Sequence, residues 1–270
     1  MAQDQPPRPE FAIEESGIII RNDLDPNALP PGGVLDSGIN GVGQMTVRSN
    51  PATTSMNLCT GTLINPRTVI FAAHCVNSRP AEAYGPNGIP FGAHTAGGTP
   101  IAFGFEADNL PAVRQWLGLD GGTAGATNIA RALYAVEQVW WDPRSRAPAS
   151  CTTPTSCFLQ ADVAIATLET PAFDIPTWAM LFSPLDGPTH VTITGYGNRG
   201  RENTPTASLG IDWRRRSAEN MLGILGSLND RNAWLFGTGN AATNNLYLFD
   251  FSDPNRNYNP AAGRFDFGLY

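Results

Sequence analysis

Apolar residues along this chain come in short runs that alternate with polar ones or are β-branched: Met45–Arg48, Gly61–Ile64, Thr68–Ala72, Val136–Trp140, Val163–Leu168, Val191–Thr194 and Leu246–Phe251. Each run is bounded by Gly, Pro, Asn or Asp, the pattern of strands joined by tight turns in an all-β barrel or sandwich. Helical periodicity is confined to Pro111–Leu117 and Thr127–Leu133, inside a Gly-, Ala- and Pro-rich stretch, 79–131, that reads as an insertion. Arg214–Ser227 fits two templates. It is an amphipathic helix with Ala218, Met221, Leu222 and Leu225 on one face, or a strand entered through Trp213. Residues 1–40 are rich in Pro, Asp and Glu, hold one apolar run at Ile18–Ile20, and read as an extended arm against the body.

Composition sharpens this picture. Only 15% of the residues are charged, against roughly 25% in an average domain, so the Lys and Glu of long solvent-facing helices are missing. Glycine (28) and proline (23) are plentiful instead, as many turns require. The net charge of −7 supplies no basic patch for a phosphate backbone, which argues against nucleic acid. No window approaches the ~20 consecutive apolar residues of a membrane span, so no membrane contact is expected of this segment. The opening Met-Ala-Gln-Asp-Gln-Pro-Pro has no basic region followed by an apolar one, and reads as a start Met on a mature N-terminus.

Four cysteines, Cys59, Cys75, Cys151 and Cys157, allow three pairings. None forms a CxxC pair, so two disulfides in an oxidising compartment are a better reading than zinc. Cys151 and Cys157 close a small loop of Thr, Pro and Ser, which predicts a bridge between them.

The chemistry concentrates in Asn57–Cys75, N-L-C-T-G-T-L-I-N-P-R-T-V-I-F-A-A-H-C: two short strands, a Pro-Arg turn, and His74 directly before a cysteine. This segment closely resembles the chymotrypsin/trypsin serine-protease family, whose pattern is Cys-x-Gly-(Ser/Thr)-Leu-Ile, a turn, then Ala-Ala-His-Cys. Gln160-Ala-Asp-Val-Ala-Ile-Ala resembles the family's Asp-(Ile/Val)-Ala-(Leu/Ile) strand, and Val136-Glu-Gln-Val-Trp-Trp-Asp-Pro the strand and turn before it. Thr192-Ile-Thr-Gly-Tyr-Gly-Asn resembles the Gly-Trp-Gly that opens the family's second barrel. The four landmarks follow in the family's order and cover residues 41–200.

The resemblance implies two antiparallel six-stranded Greek-key β-barrels. The arm would be 1–40, the first barrel 41–175, and the opening part of an incomplete second barrel 176–270. It implies a Cys59–Cys75 disulfide, His74 as general base and Asp162 as the carboxylate that orients it, with no cofactor and no metal. The chemistry explains the residue types. A serine hydroxyl attacks only when a neutral imidazole takes its proton, and a carboxylate fixes the ring's tautomer and stabilises the imidazolium. The long arm, the insertion and the sequence from Trp213 onward are similar to secreted proteases of Gram-negative bacteria, including autotransporter passengers, which implies a secreted, periplasmic or cell-surface location.

The family's nucleophile motif, Gly-Asp-Ser-Gly-Gly, does not occur in the 270 residues. Ser208, Ser227 and Ser252 lack its glycine-rich turn, which also supplies oxyanion-hole amides. Seventy-three residues follow Gly197, enough for about half of a second barrel, so the serine and the specificity pocket are expected on a continuation or a second chain. The implied partners are that segment and a protein or peptide substrate. The alternative is a pseudoprotease that uses the barrel for binding. A metal-dependent hydrolase is disfavoured, because His74, His94 and His190 are scattered and no HExxH is present. Arg214-Arg-Arg reads as a solvated or salt-bridged face. Trp140-Trp141 reads as one ring in the core and one at the surface.

Overall fold

The computed structural model describes residues 18–20, 39–48, 56–77, 101–120, 133–145, 161–185, 189–201, 210–222, 224–227 and 245–248. It is built almost wholly of strands: β1 (Ile18–Ile20), β2 (Val42–Val47), β3 (Asn57–Asn65), β4 (Thr68–Phe71), β5 (Ile101–Gly104), β6 (Leu133–Trp141), β7 (Ala164–Leu168), β8 (Thr189–Gly195), β9 (Arg199–Arg201), β10 (Arg216–Leu222), β11 (Ile224–Ser227) and β12 (Asn245–Leu248). Among the described residues the one α-helix, α1, spans Leu110–Trp116. Six strands close an antiparallel barrel in the order β2-β3-β4-β7-β6-β5. Among the described residues no helix is long and apolar enough to cross a membrane.

The barrel fills itself by strand alternation, since successive side chains point to opposite faces. Met45 and Val47, Leu63, Val69 and Phe71, Ile101 and Phe103, Tyr134, Val136 and Val139, and Ala164, Ala166 and Leu168 form one buried cluster. Phe103 is its centre, edge-on to Phe71 at 5.8 Å and stacked with Phe105 at 6.4 Å. Gly61 makes room for that ring: a Cβ there would lie 2.7 Å from both Phe103 and Val69. A register shift between Val136 and Gln138 lets Val136 and Val139 share the inner face.

The stretch read as an insertion contributes a barrel strand. Ile101–Gly104 is buried on both faces, so it carries no alternation to betray it. The cause is α1, where the helical period at Pro111–Leu117 was expected. Val113 and Trp116 pack outside the barrel on Ala102 and Leu133, with Trp213 and Met56 beside them. Gln44 and Thr46, which point outward from β2, are thereby buried as well.

Arg214–Ser227 resolves in favour of the strand. Arg216–Leu222 pairs with Thr189–Gly195, residue 216 opposite Gly195 and residue 222 opposite Thr189. The arginine run is only partly the solvated face expected. Arg214 pairs with Asp108, but Arg215 and Arg216 are buried. Arg216 is held by Asp212 at 2.5 and 2.6 Å. Arg215 donates to the carbonyls of Val42 and Phe105, to the Tyr196 hydroxyl and to Asn40. Tyr196 donates in turn to the Glu106 carbonyl at 2.6 Å, and burial pushes its hydroxyl up to about 12. These bonds fasten the chain beyond the barrel onto the barrel.

Trp140 is exposed, and Trp141 packs partly against the core. The arm's Ile18–Ile20 pairs in parallel with Arg199–Arg201. Beyond the barrel the described strands form two-stranded pairs, β10 with β8 and β11 with β12. Residues 249–251 of the run read at Leu246–Phe251, and the side chains of Leu246–Leu248, lie outside what is described.

Removing the central ring should cost most. Phe103→Ala is expected to destabilise the chain by about 3–5 kcal/mol through lost burial and a residual cavity, read as a lowered urea midpoint; a change within error would mean that this ring is not the packing centre.

Candidate active site

His74 and Asp162 are 88 residues apart in sequence, and strand pairing joins them. β4 runs antiparallel to β7 with Phe71 opposite Ala164. His74 lies three residues beyond Phe71 and Asp162 two residues before Ala164, so both emerge from the same end of adjacent strands. After Phe71 the chain tightens into a 3-10 turn, Ala73–Cys75. Ala73 and Cys75 point inward and are buried, so the residue between them is forced outward.

Cys75 is bridged to Cys59 on β3, with Cα atoms 6.4 Å apart, as the family resemblance implied. The bridge ties the turn to the neighbouring strand. Asn77 adds a second tie, donating to the Ser145 carbonyl at 2.6 Å in the turn that follows β6. The expected Cys151–Cys157 pair lies outside the described residues, as do His94, Ser208 and Ser252. His190 is exposed on β8, and Ser227 ends β11.

The two side chains meet directly. His74 Nδ1 lies 2.8 Å from Asp162 Oδ2, and the His74 main-chain N–H donates to Asp162 Oδ1 at 2.7 Å. The main-chain N–H of Ala73 also bonds the carboxylate. One carboxylate thus anchors the turn through its backbone and the ring through Nδ1, which leaves Nε2 as the nitrogen that can accept a proton. The His74 side chain is 55% exposed against 28% for Asp162. The ring is therefore open to an approaching group while its orienter is partly sheltered.

The electrostatics follow from this geometry. The hydrogen bond to Asp162 raises the His74 pKa from its ordinary 6.5, partial burial opposes it, and the charge of Asp162 adds to it. For Asp162, burial alone would raise the carboxyl, but the hydrogen bonds from the His74 ring and backbone and from Ala73 outweigh it and hold the group below its ordinary range. The His74 share of stability is present in full below pH ~6.5 and is lost as pH rises through the raised value. The Asp162 share is present above pH ~3.9 and is lost as pH falls through the lowered value.

Sequence reasoning named the two side chains but missed their supports. The backbone donors at Ala73 and His74 carry no sequence signal, because every non-proline residue has an N–H. Ala161, before Asp162, adopts a left-handed backbone with φ 49°, a state that costs a residue with a Cβ about 1–2 kcal/mol. Alanine gives no hint of such a turn.

Ligand-type atoms of Cys59, His74 and Cys75 fall within 4.8 Å of one another. Both sulfurs are in the disulfide, so neither is the thiolate that a zinc or copper site requires. No protein-family model matches the chain, and no curated protein matches it.

Replacing the carboxylate isolates its effect. Asp162→Asn should lower the His74 titration midpoint toward about 6.5, as followed by the imidazole proton resonances across pH. The stability lost in the variant should be greatest between pH ~4 and ~6.5, where both groups are charged. A midpoint equal to that of the parent chain would show that the pair does not form in solution.

Proposed function

We propose that this chain carries the general base and its orienting carboxylate for a secreted chymotrypsin/trypsin-like serine endopeptidase. The nucleophilic serine, in a segment containing Gly-Asp-Ser-Gly, is supplied by a continuation beyond Tyr270 or by a second chain. The observation that carries this reading is the His74 Nδ1 to Asp162 Oδ2 contact of 2.8 Å at the shared end of β4 and β7. The Cys59–Cys75 bridge beneath it adds support, as do four landmark segments in family order. The closed antiparallel barrel of six strands also supports it, since the resemblance implies a six-stranded first barrel. A second barrel belongs to the proposal, begun by the β8–β10 pairing.

In this reading the serine hydroxyl attacks the scissile carbonyl as His74 Nε2 takes its proton. The imidazolium, stabilised by Asp162, then passes that proton to the leaving amine. The acyl-enzyme is cleared by water with His74 again as base, so the proton balance returns to its start. Oxyanion-hole amides come with the serine turn. The serine-bearing lobe needs a surface to meet, and the segment after β7 offers one. Phe173, Leu181 and Phe182 there are 66–86% exposed, unusual for side chains of this size.

The decisive test compares fluorophosphonate labelling of the 270-residue chain with that of a product that also carries the Gly-Asp-Ser-Gly segment. No labelling of the former and stoichiometric labelling of the latter is expected. Labelling of the short chain would reveal a nucleophile within it, and none in either would favour a binding role for the barrel. In the complete product His74→Ala should lower peptidase kcat by at least about 10²–10⁴-fold. Activity should rise with pH through the His74 pKa, above 6.5, because the base works deprotonated and its pKa is raised. A flat profile across that range would count against His74 as the base.

A further inference from the structure

The turn that delivers Asp162 rests on a backbone conformation that alanine rarely adopts. Ala161 sits at φ 49°, in the left-handed region favoured by glycine. Two residues on, the Val163 N–H folds back to the Ala161 carbonyl at 2.7 Å, which puts Asp162 at the apex of a three-residue turn. The ladder with β4 starts directly afterwards, Ala164 opposite Phe71.

An extended chain through 163 to 161 would prolong that ladder and send successive side chains to alternate faces of the sheet. The turn instead lifts residue 162 off the ladder, and its carboxylate receives the N–H of His74 at 2.7 Å and lies 2.8 Å from the ring nitrogen. Strained backbone states persist only where the surroundings over-determine them. Here the surroundings are the β4–β7 pairing on one side and the hydrogen bonds from the Ala73–Cys75 turn on the other.

We propose that Ala161 is a positioning residue for the His74–Asp162 pair: its left-handed backbone, and not its methyl group, sets the direction in which the Asp162 carboxylate leaves β7. This rests on reading the pair as a general base and its orienter, and adds a residue with no side-chain chemistry of its own. Ala161 touches no reacting atom and acts only through Asp162.

Two variants of the full 270-residue chain separate this role from a merely structural one, each followed by the pH titration of the His74 imidazole protons. Glycine enters the left-handed region freely. Ala161→Gly should therefore keep the raised titration midpoint and, with the strain relieved, unfold at a higher urea concentration than the parent. Valine is β-branched and disfavoured there. Ala161→Val should therefore let the carboxylate swing away, and the His74 midpoint should fall toward about 6.5 in a chain that keeps its far-ultraviolet circular dichroism.

A folded Ala161→Val chain with the parent midpoint would overturn the proposal. So would an Ala161→Gly chain whose midpoint falls or whose urea midpoint does not rise. If Ala161→Val does not fold, the glycine variant decides alone. Neither readout needs the serine, so failure here is distinct from failure of the protease reading, which the labelling experiment decides.

Discussion

Pairing of β4 with β7 is the contact on which both the barrel and the site depend. Each strand already has a sequence-near neighbour, β3 for β4 and β6 for β7. The ladder from Thr68 opposite Thr167 to Phe71 opposite Ala164, together with the pairing of β2 with β5, joins the first three barrel strands to the last three. It also brings residue 74 near residue 162. A slip of one residue would turn Ala164, Ala166 and Leu168 outward, since the side-chain period of a strand is two, and would shift the turn that carries Asp162 out of line with the histidine. Core packing and site geometry are thus fixed by one register.

The site is held from three directions, each by a different kind of interaction. A covalent bridge to Cys59 holds the turn behind His74, buried Ala73 and Cys75 orient it, and the carboxylate receives its backbone donors. A carboxylate that accepts several N–H bonds stays ionised at low pH, and an ionised carboxylate raises the imidazole beside it. The raised histidine and lowered aspartate are therefore one effect seen from two partners. Elsewhere on the barrel, buried Arg215 and Tyr196 find carbonyls of β2 and of the loop after β5. There the hydrogen bonds from the Arg215 Nη1 and Nη2 atoms and the Tyr196 hydroxyl tie the following chain down.

Strand existence was legible in the sequence because period-two alternation and turn residues are local signals. The runs at 45–48, 61–64, 68–72, 136–140, 163–168 and 191–194 all fall on observed strands, with ends that differ by a few residues. Legibility failed where a face expected to be solvated was covered. Ile101–Gly104 lost its alternation under α1, and Arg215 and Arg216 look like surface charges until Tyr196, Asn40 and Asp212 are placed around them. Arg214–Ser227 stayed ambiguous because its apolar spacing satisfies helix and strand alike. Partnership with β8 decided it.

Taken alone, the sequence determined a strand-rich chain with too few charges for long helices, and a histidine beside a cysteine placed to bridge back to an earlier strand. It also marked Asp162 at the mouth of an apolar strand. Only the tertiary structure decided that these two residues meet, because their contact depends on a register between strands almost a hundred residues apart, which no local pattern encodes. It also decided how the carboxylate is aimed. The donors at Ala73 and His74 and the left-handed Ala161 are properties of backbone conformation, which residue identity does not fix at these positions.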